Sequence, residues 1–66
     1  MQCKINAVLS EIAPNQTVGE MLREKGISAQ TVVIEYNNEI LKRVNFDEKV
    51  INDGDNIEIL SFVGGG

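Results

Sequence analysis

The sequence predicts an α+β fold in which one short helix packs on one face of a mixed sheet of four or five strands. Short segments typical of β-strands stand at both ends of the chain, and one amphipathic segment with helix-start and helix-stop signals lies between them. The 66 residues leave room for one small domain. A helix between strands normally returns the chain to the same sheet, which predicts a helix layer on a sheet layer.

The first twelve residues predict a β-hairpin. Residues 1–6 alternate between apolar and polar side chains, so Cys3 and Ile5 should face inward. The Asn6-Ala7 pair is a weak turn signal, because glycine is the usual partner of asparagine in such a turn. A second strand follows over residues 7–12. The pattern does not decide which side chains of this strand face inward, because two apolar residues are adjacent, Val8 and Leu9.

A helix is predicted over residues 18–25. Thr17 and Glu20 have the spacing of a capping box, in which each side chain accepts a hydrogen bond from the other residue's backbone amide. Gly26 follows at the position where a left-handed residue ends a helix. Apolar residues at i, i+3 and i+4 form one narrow stripe that should face the sheet: Val18, Met21 and Leu22.

Two further strands should follow the helix. Residues 31–36 are rich in β-branched and aromatic side chains and alternate in polarity, which predicts the third strand. The Asn37-Asn38 pair tolerates the positive backbone angles of a tight turn, so residues 39–41 can return as a short fourth strand.

The last part of the chain should contain a loop, a turn and a final strand. Residues 42–49 lose periodicity, which predicts a surface loop with Val44 or Phe46 packed beneath it. The Asn-Asp-Gly-Asp sequence at 52–55 predicts a turn into a strand over residues 56–63. Asp53 and Asp55 could suggest a cation site, but the spacing lacks the other ligands of a calcium loop, so a turn is favoured and no metal is expected.

This order of elements is that of a β-grasp, the ubiquitin-like roll, with the first and last strands parallel at the centre of the sheet. If Ile57 and Ile59 face the helix, Leu60 and Phe62 face away from it, onto a sheet surface open to solvent. We therefore predict that these two residues, with Val63, dock a partner protein. The alternative is that other parts of the chain cover them.

Composition excludes several function classes. The net charge of −4 predicts repulsion from nucleic acids and from anionic membranes, so basic protein partners are favoured. The chain has no histidine, which removes the commonest general base and metal ligand, and its small size leaves little room for an active-site cleft. Cys3 cannot form an internal disulfide and is expected to be a buried apolar residue. No signal segment or membrane span is recognisable, so the cytoplasm is the expected compartment.

Three consecutive glycines close the sequence, and we predict a β-grasp domain over residues 1–63 followed by a flexible tail, Gly64, Gly65 and Gly66. Such a tail could enter a narrow pocket and present the terminal carboxylate of Gly66, with no side chain to block a reagent. The alternative is an incidental flexible terminus or a linker.

The sequence resembles the ThiS family of sulfur carriers over the whole chain. Three features carry the resemblance: the glycine tail, the Asn52-Asp53-Gly54-Asp55 turn before Ile57-Glu58-Ile59-Leu60, and the Thr17-Val18-Gly19-Glu20-Met21-Leu22 helix start. Ala7, in place of a common hairpin glycine, and the additional Gly64 are minor departures. The resemblance implies a protein that is no enzyme and binds no cofactor. An E1-like, ThiF-type enzyme would use ATP to adenylate Gly66, and sulfur from a persulfide protein would replace AMP.

The resulting thiocarboxylate on Gly66 would donate sulfur to a ThiG-type thiazole synthase in thiamine biosynthesis. Two other functions stay open. One is a MoaD-like carrier for molybdopterin, with the same activation and a different acceptor, although such carriers are usually longer. The other is a noncovalent β-grasp interaction module whose glycines are incidental.

Overall fold

The computed structural model describes residues 1–62, and within them the chain forms a five-stranded mixed sheet with one α-helix. Val63 and the predicted tail, residues 64–66, lie outside the described residues. The elements are β1 (Gln2–Ile5), β2 (Val8–Glu11), α1 (Val18–Glu24), β3 (Val32–Tyr36), β4 (Glu39–Leu41) and β5 (Asn56–Ser61), with short 3-10 turns at Ala29–Thr31 and Arg43–Asn45.

The strands lie in the order β2-β1-β5-β3-β4, so the first and last strands occupy the centre of the sheet as predicted. Strand β1 runs parallel to β5, and the other neighbouring pairs are antiparallel. This arrangement confirms the β-grasp prediction. Helix α1 lies in the connection between the two halves of the sheet.

Both hairpins turn through pairs of residues with positive φ. Asn6 and Ala7 have φ values of 52° and 68°, and Asn37 and Asn38 have 51° and 71°. Positive φ at both central residues is the signature of a type I′ turn, whose twist matches that of the strands it joins. The weak signal at residues 6–7 therefore marks a real hairpin, with an alanine held in the left-handed region.

Helix α1 begins and ends as the sequence predicts. The Glu20 amide donates to Thr17 Oγ1 at 3.1 Å, and the Thr17 amide donates to Glu20 Oε1 at 2.9 Å. At the other end the Gly26 amide donates to the Arg23 carbonyl and the Ile27 amide to the Leu22 carbonyl. These two bonds, with Gly26 at a φ of 71°, form a Schellman motif.

The core lies between helix α1 and the inner face of the sheet. Phe46 also belongs to it at 4% exposure, whereas Val44 is 79% exposed, so Phe46 is the residue packed beneath the 42–49 loop. This loop covers the start of the helix: the Val18 amide donates to the Lys49 carbonyl and the Gly19 amide to the Phe46 carbonyl, each at 2.9 Å. The other core residues are Cys3, Ile5, Ile12, Val18, Met21, Leu22, Val32, Ile34, Tyr36, Ile51 and Ile57.

The position of strand β2 explains why the sequence pattern did not show which of its side chains face the core. Leu9 stands opposite Lys4 and Val8 opposite Ile5, yet both apolar side chains are exposed because β2 is an edge strand. Ile12, just beyond the strand, is the buried residue. No helix within residues 1–62 is long and apolar enough to cross a membrane.

Candidate docking surface

The face of the sheet away from helix α1 is open to solvent, and the register of the strands fixes which residues share it. In β5 the residues that alternate with buried Ile57 point to this side, and each has a defined neighbour across the sheet. Leu60 is opposite Val33 and Glu58 is opposite Glu35. We call this surface the open face; its strand residues include Lys4, Leu9, Val33, Glu35, Ile40, Asn56, Glu58 and Leu60.

The two described residues of the predicted docking set are both exposed. Leu60 is 44% exposed and Phe62 is 57% exposed, so other parts of the described chain do not cover them. The Phe62 amide donates to the Thr31 carbonyl at 3.2 Å, which holds the backbone against the start of β3 one residue past the end of β5. The prediction for Val63 falls outside the described residues.

Two open depressions flank the end of β5. On the β2 side, Leu9 and Leu60 line the first, with Lys4 and Glu58 beside them. On the β4 side, Phe62 lines the second together with Val33, Ile40 and the basic residues Lys42 and Arg43. Exposed apolar side chains next to charged ones are typical of a protein-binding surface.

The end of β5 is held in place from both sides. On one side it pairs with β3 as far as Val32, opposite Ser61. On the other side β1 has already ended, and the side-chain amide of Asn6 takes over: Oδ1 accepts from the Ile59 amide at 2.7 Å, and Nδ2 donates to the Ile59 carbonyl at 3.4 Å. The sequence pattern assigned Asn6 to the end of the first strand and to the turn, but it did not predict this contact, because no local signal links residues 53 positions apart.

The turn before β5 is organised by carboxylates rather than arranged as a cation site. Asp53 Oδ1 accepts from the Gln2 amide at 2.8 Å. Asp55 accepts from the Tyr36 hydroxyl, from the Asn52 amide at 2.9 Å and from Asn37 Nδ2 at 3.1 Å. Within residues 1–62 no three His, Cys, Asp or Glu side chains are grouped to hold a metal ion.

This network shifts two pKa values in opposite directions. Burial, together with the hydrogen bond to Asp55 and its negative charge, raises the pKa of the Tyr36 hydroxyl well above its usual value. Partial burial alone would raise the pKa of Asp55. The hydrogen bonds from Tyr36, Asn52 and Asn37 and the charge of Lys49 outweigh it, so the pKa of Asp55 lies below its usual value. The pair is structural, since it ties the end of β3 to the turn.

Cys3 is buried on the inner face, as predicted. Burial, then the nearby Asp55 carboxylate, raises the pKa of its thiol, which disfavours the nucleophilic thiolate. Cys3 is therefore a core residue, 1% exposed, with a thiol that is poorly suited to nucleophilic chemistry.

Comparison with known proteins places these features in a family. The ThiS family model matches residues 3–66. A crystal structure of a thiamine biosynthesis protein (ThiS) from Geobacter metallireducens superposes with a TM-score of 0.84 at 36% identity and covers 100% of both chains. A solution structure of a thiamine biosynthesis protein from the same organism gives a TM-score of 0.77 at 35% identity, covering 100% of this chain and 88% of that one.

Two curated proteins are also similar in sequence. A thiazole synthase of Paramagnetospirillum magneticum is 35% identical over 66 residues, which are 100% of this chain and 20% of that protein. The uncharacterized protein ycf40 of Trieres chinensis is 36% identical over 47 residues, which are 71% of this chain and 64% of that protein. The chain thus spans a fifth of the length of the first relative and somewhat less than two thirds of the second.

Proposed function

Because this chain belongs to the ThiS family, we propose that it is a sulfur carrier that supplies the sulfur of the thiazole ring in thiamine biosynthesis. The observation that carries the proposal is the family match over residues 3–66, which includes the glycine tail. The open face, with exposed Leu60 and Phe62 directly before that tail in sequence, supports it from the structure. In this role the chain is a co-substrate of other enzymes and no enzyme itself.

The proposed chemistry takes place at the carboxylate of Gly66. A carboxylate is a poor electrophile, so an oxygen of Gly66 first attacks the α-phosphorus of ATP, and pyrophosphate leaves. The terminal sulfur of a persulfide then attacks the acyl carbon and displaces AMP. A thiol cleaves the sulfur–sulfur bond by reduction and leaves a thiocarboxylate on Gly66. Its sulfur is a stronger nucleophile than a carboxylate oxygen at neutral pH.

The three glycines suit this chemistry because they carry no side chain near the reacting carbon. Gly64 and Gly65 are proposed to extend Gly66 into the active site of each partner, while Leu60, Phe62 and Val63 bind the partner's surface. ATP is consumed by the activating partner, and the carrier binds no cofactor of its own.

The proposed partners are a ThiF-type adenylating enzyme, a persulfide protein as the sulfur donor and a ThiG-type thiazole synthase. The thiazole synthase of P. magneticum supports the last of these, because a segment of that protein resembles this whole chain. The cytoplasm is the proposed compartment, since persulfide chemistry needs reducing conditions and Cys3 is a free thiol.

A truncated variant tests the proposal. A chain lacking Gly65 and Gly66 should still bind the adenylating enzyme through the open face but should support neither pyrophosphate release nor thiazole formation. The wild-type chain is the control. Gly66→Ala keeps the chain length and the carboxylate but adds a methyl group beside the reacting carbon, so it should bind like the wild type and react more slowly. Full function of the truncated chain would show that the tail is incidental and that the protein is a noncovalent interaction module.

A further inference from the structure

Two glutamates face each other near the centre of the open face. Glu35 of β3 stands directly opposite Glu58 of β5 in the antiparallel register, and both residues are half-buried. Side chains at directly opposite positions lie about 5 Å apart at Cβ, so like charges there repel each other.

The described chain does not neutralise this pair. Within residues 1–62 the ion pairs join Arg23 to Asp47 and the Met1 amino group to Glu11, and no side-chain hydrogen bond reaches either glutamate. Lys4 stands opposite Asn56, two residues before Glu58, and Lys42 follows two residues after Ile40, which stands opposite Glu35. Within residues 1–62 neither lysine makes an ion pair with Glu35 or Glu58 within 4.0 Å.

The residues next to the two carboxylates on the strands are mostly apolar, although Lys42 and Arg43 line the depression that Ile40 and Phe62 share. Ile40 stands opposite Glu35 on β4, and Val33 and Leu60 form the next opposed pair along β3 and β5. Ile40 and Leu60 are both exposed, and Phe62 lies beyond them. The open face therefore places two negative charges without an ion-pair partner among exposed apolar side chains. A partner protein would complement this arrangement if it presented a cation surrounded by apolar side chains of its own.

We propose that the Glu35–Glu58 pair receives an arginine side chain of the ThiF-type adenylating enzyme, while Ile40, Leu60 and Phe62 contact apolar residues around that arginine. An arginine fits because its planar guanidinium carries several N–H donors and can bond two carboxylates at once. The net charge of −4 would also attract a basic surface over a distance. The inference rests on the proposed function and adds the chemistry by which the partner is recognised.

The charges argue against other occupants of this face. A second copy of the chain docked two-fold through the centre of the open face would bring the same two glutamates against each other. A nucleic acid or an anionic membrane would add negative charge to negative charge. A basic protein surface is the occupant that relieves the repulsion.

The test compares two double variants with equal net charge. The first variant, Glu35→Gln with Glu58→Gln, removes the opposed charges. The second, Glu24→Gln with Glu48→Gln, removes two exposed charges that lie outside the open face. Each double variant changes the net charge from −4 to −2. Binding of each to the purified adenylating enzyme is measured by calorimetry at low and high salt, and the melting temperature of each free chain is recorded.

We expect the Glu35/Glu58 variant to bind about tenfold more weakly or worse at low salt, and to lose most of the salt dependence of the wild type. Its melting temperature should equal or exceed that of the wild type, because the repulsion is gone. The Glu24/Glu48 variant should bind like the wild type. Weaker binding without loss of stability separates a recognition role from a structural one.

Wild-type affinity in the Glu35/Glu58 variant, or an equal loss in the Glu24/Glu48 variant, would overturn the inference; the second result would show an effect of net charge alone. Absence of wild-type binding would overturn it too. The proposed function is judged separately, by conversion of the wild type to a thiocarboxylate. If the wild type is converted to a thiocarboxylate and the Glu35/Glu58 variant binds with normal affinity, the proposed function is supported and the proposed arginine contact is refuted.

Discussion

The side-chain amide of Asn6 pairs with the backbone of Ile59 as a strand residue would: it accepts from the Ile59 amide at 2.7 Å and donates to the Ile59 carbonyl at 3.4 Å. Strand β1 ends at Ile5, so this side chain extends the sheet by one position beside β5. The residue that follows Ile59 is Leu60, the start of the predicted docking set. Asn6 thereby links the first turn of the chain to the base of the docking surface.

Replacing Asn6 should lower stability in two separable steps. Asn6→Gly removes both hydrogen bonds but tolerates the φ of 52°, and we expect a loss of about 1 kcal/mol in the free energy of unfolding. Asn6→Ala should cost about 0.5–1 kcal/mol more, because alanine is strained at positive φ. Urea denaturation measures both. Equal stability of the glycine variant and the wild type would show that the contact to Ile59 contributes nothing.

The Tyr36–Asp55 pair predicts that stability falls at both ends of the pH scale. Asp55 has a lowered pKa in the folded chain, so its contribution is present above the unfolded value of about 3.9 and is lost as the pH falls through the folded value. Tyr36 has a raised pKa, so its contribution is present below about pH 10 and is lost as the pH rises beyond that.

Tyr36→Phe isolates the alkaline part of this dependence. It removes the hydroxyl that donates to Asp55, which should cost about 1–2 kcal/mol at neutral pH and flatten the loss of stability above about pH 10. Thermal denaturation followed across the pH range measures both effects. An unchanged alkaline loss in the variant would mean that other groups cause it.

The two phenylalanines should separate binding from folding. Phe46 is 4% exposed, and Phe46→Ala should reduce the free energy of unfolding by about 3–5 kcal/mol through the cavity it leaves. Phe62 is 57% exposed, and Phe62→Ala should leave stability nearly unchanged but weaken binding to the adenylating enzyme by about 1–2 kcal/mol. Calorimetric binding and urea denaturation of both variants are needed. Unaltered affinity of the Phe62 variant would remove this residue from the docking surface.

Local signals in the sequence were enough for most of the fold. The capping box of Thr17 and Glu20 and the Asn37-Asn38 turn act over three residues or fewer, so they can be read without the sheet. The alternation of β5 likewise placed Leu60 and Phe62 on the open face. The predictions for Val63 and for the glycine tail concern residues outside the described structure and stay predictions.

The missed features depend on which strands become neighbours. The opposition of Glu35 and Glu58 follows from the register of β3 and β5, and the contact of Asn6 with Ile59 follows from the parallel pairing of β1 and β5. Neither leaves a local pattern. The exposure of Val8 and Leu9 also depends on position, because β2 lies at the edge of the sheet.

The most direct measurement of the central claim is the intact mass of the chain after incubation with the ThiF-type enzyme, ATP and a persulfide donor, followed by fragmentation to locate any change. We expect one oxygen to be exchanged for one sulfur at Gly66, and we expect no exchange when ATP is omitted. An unchanged mass with a competent activating enzyme, or a sulfur bound at Cys3 instead, would contradict it.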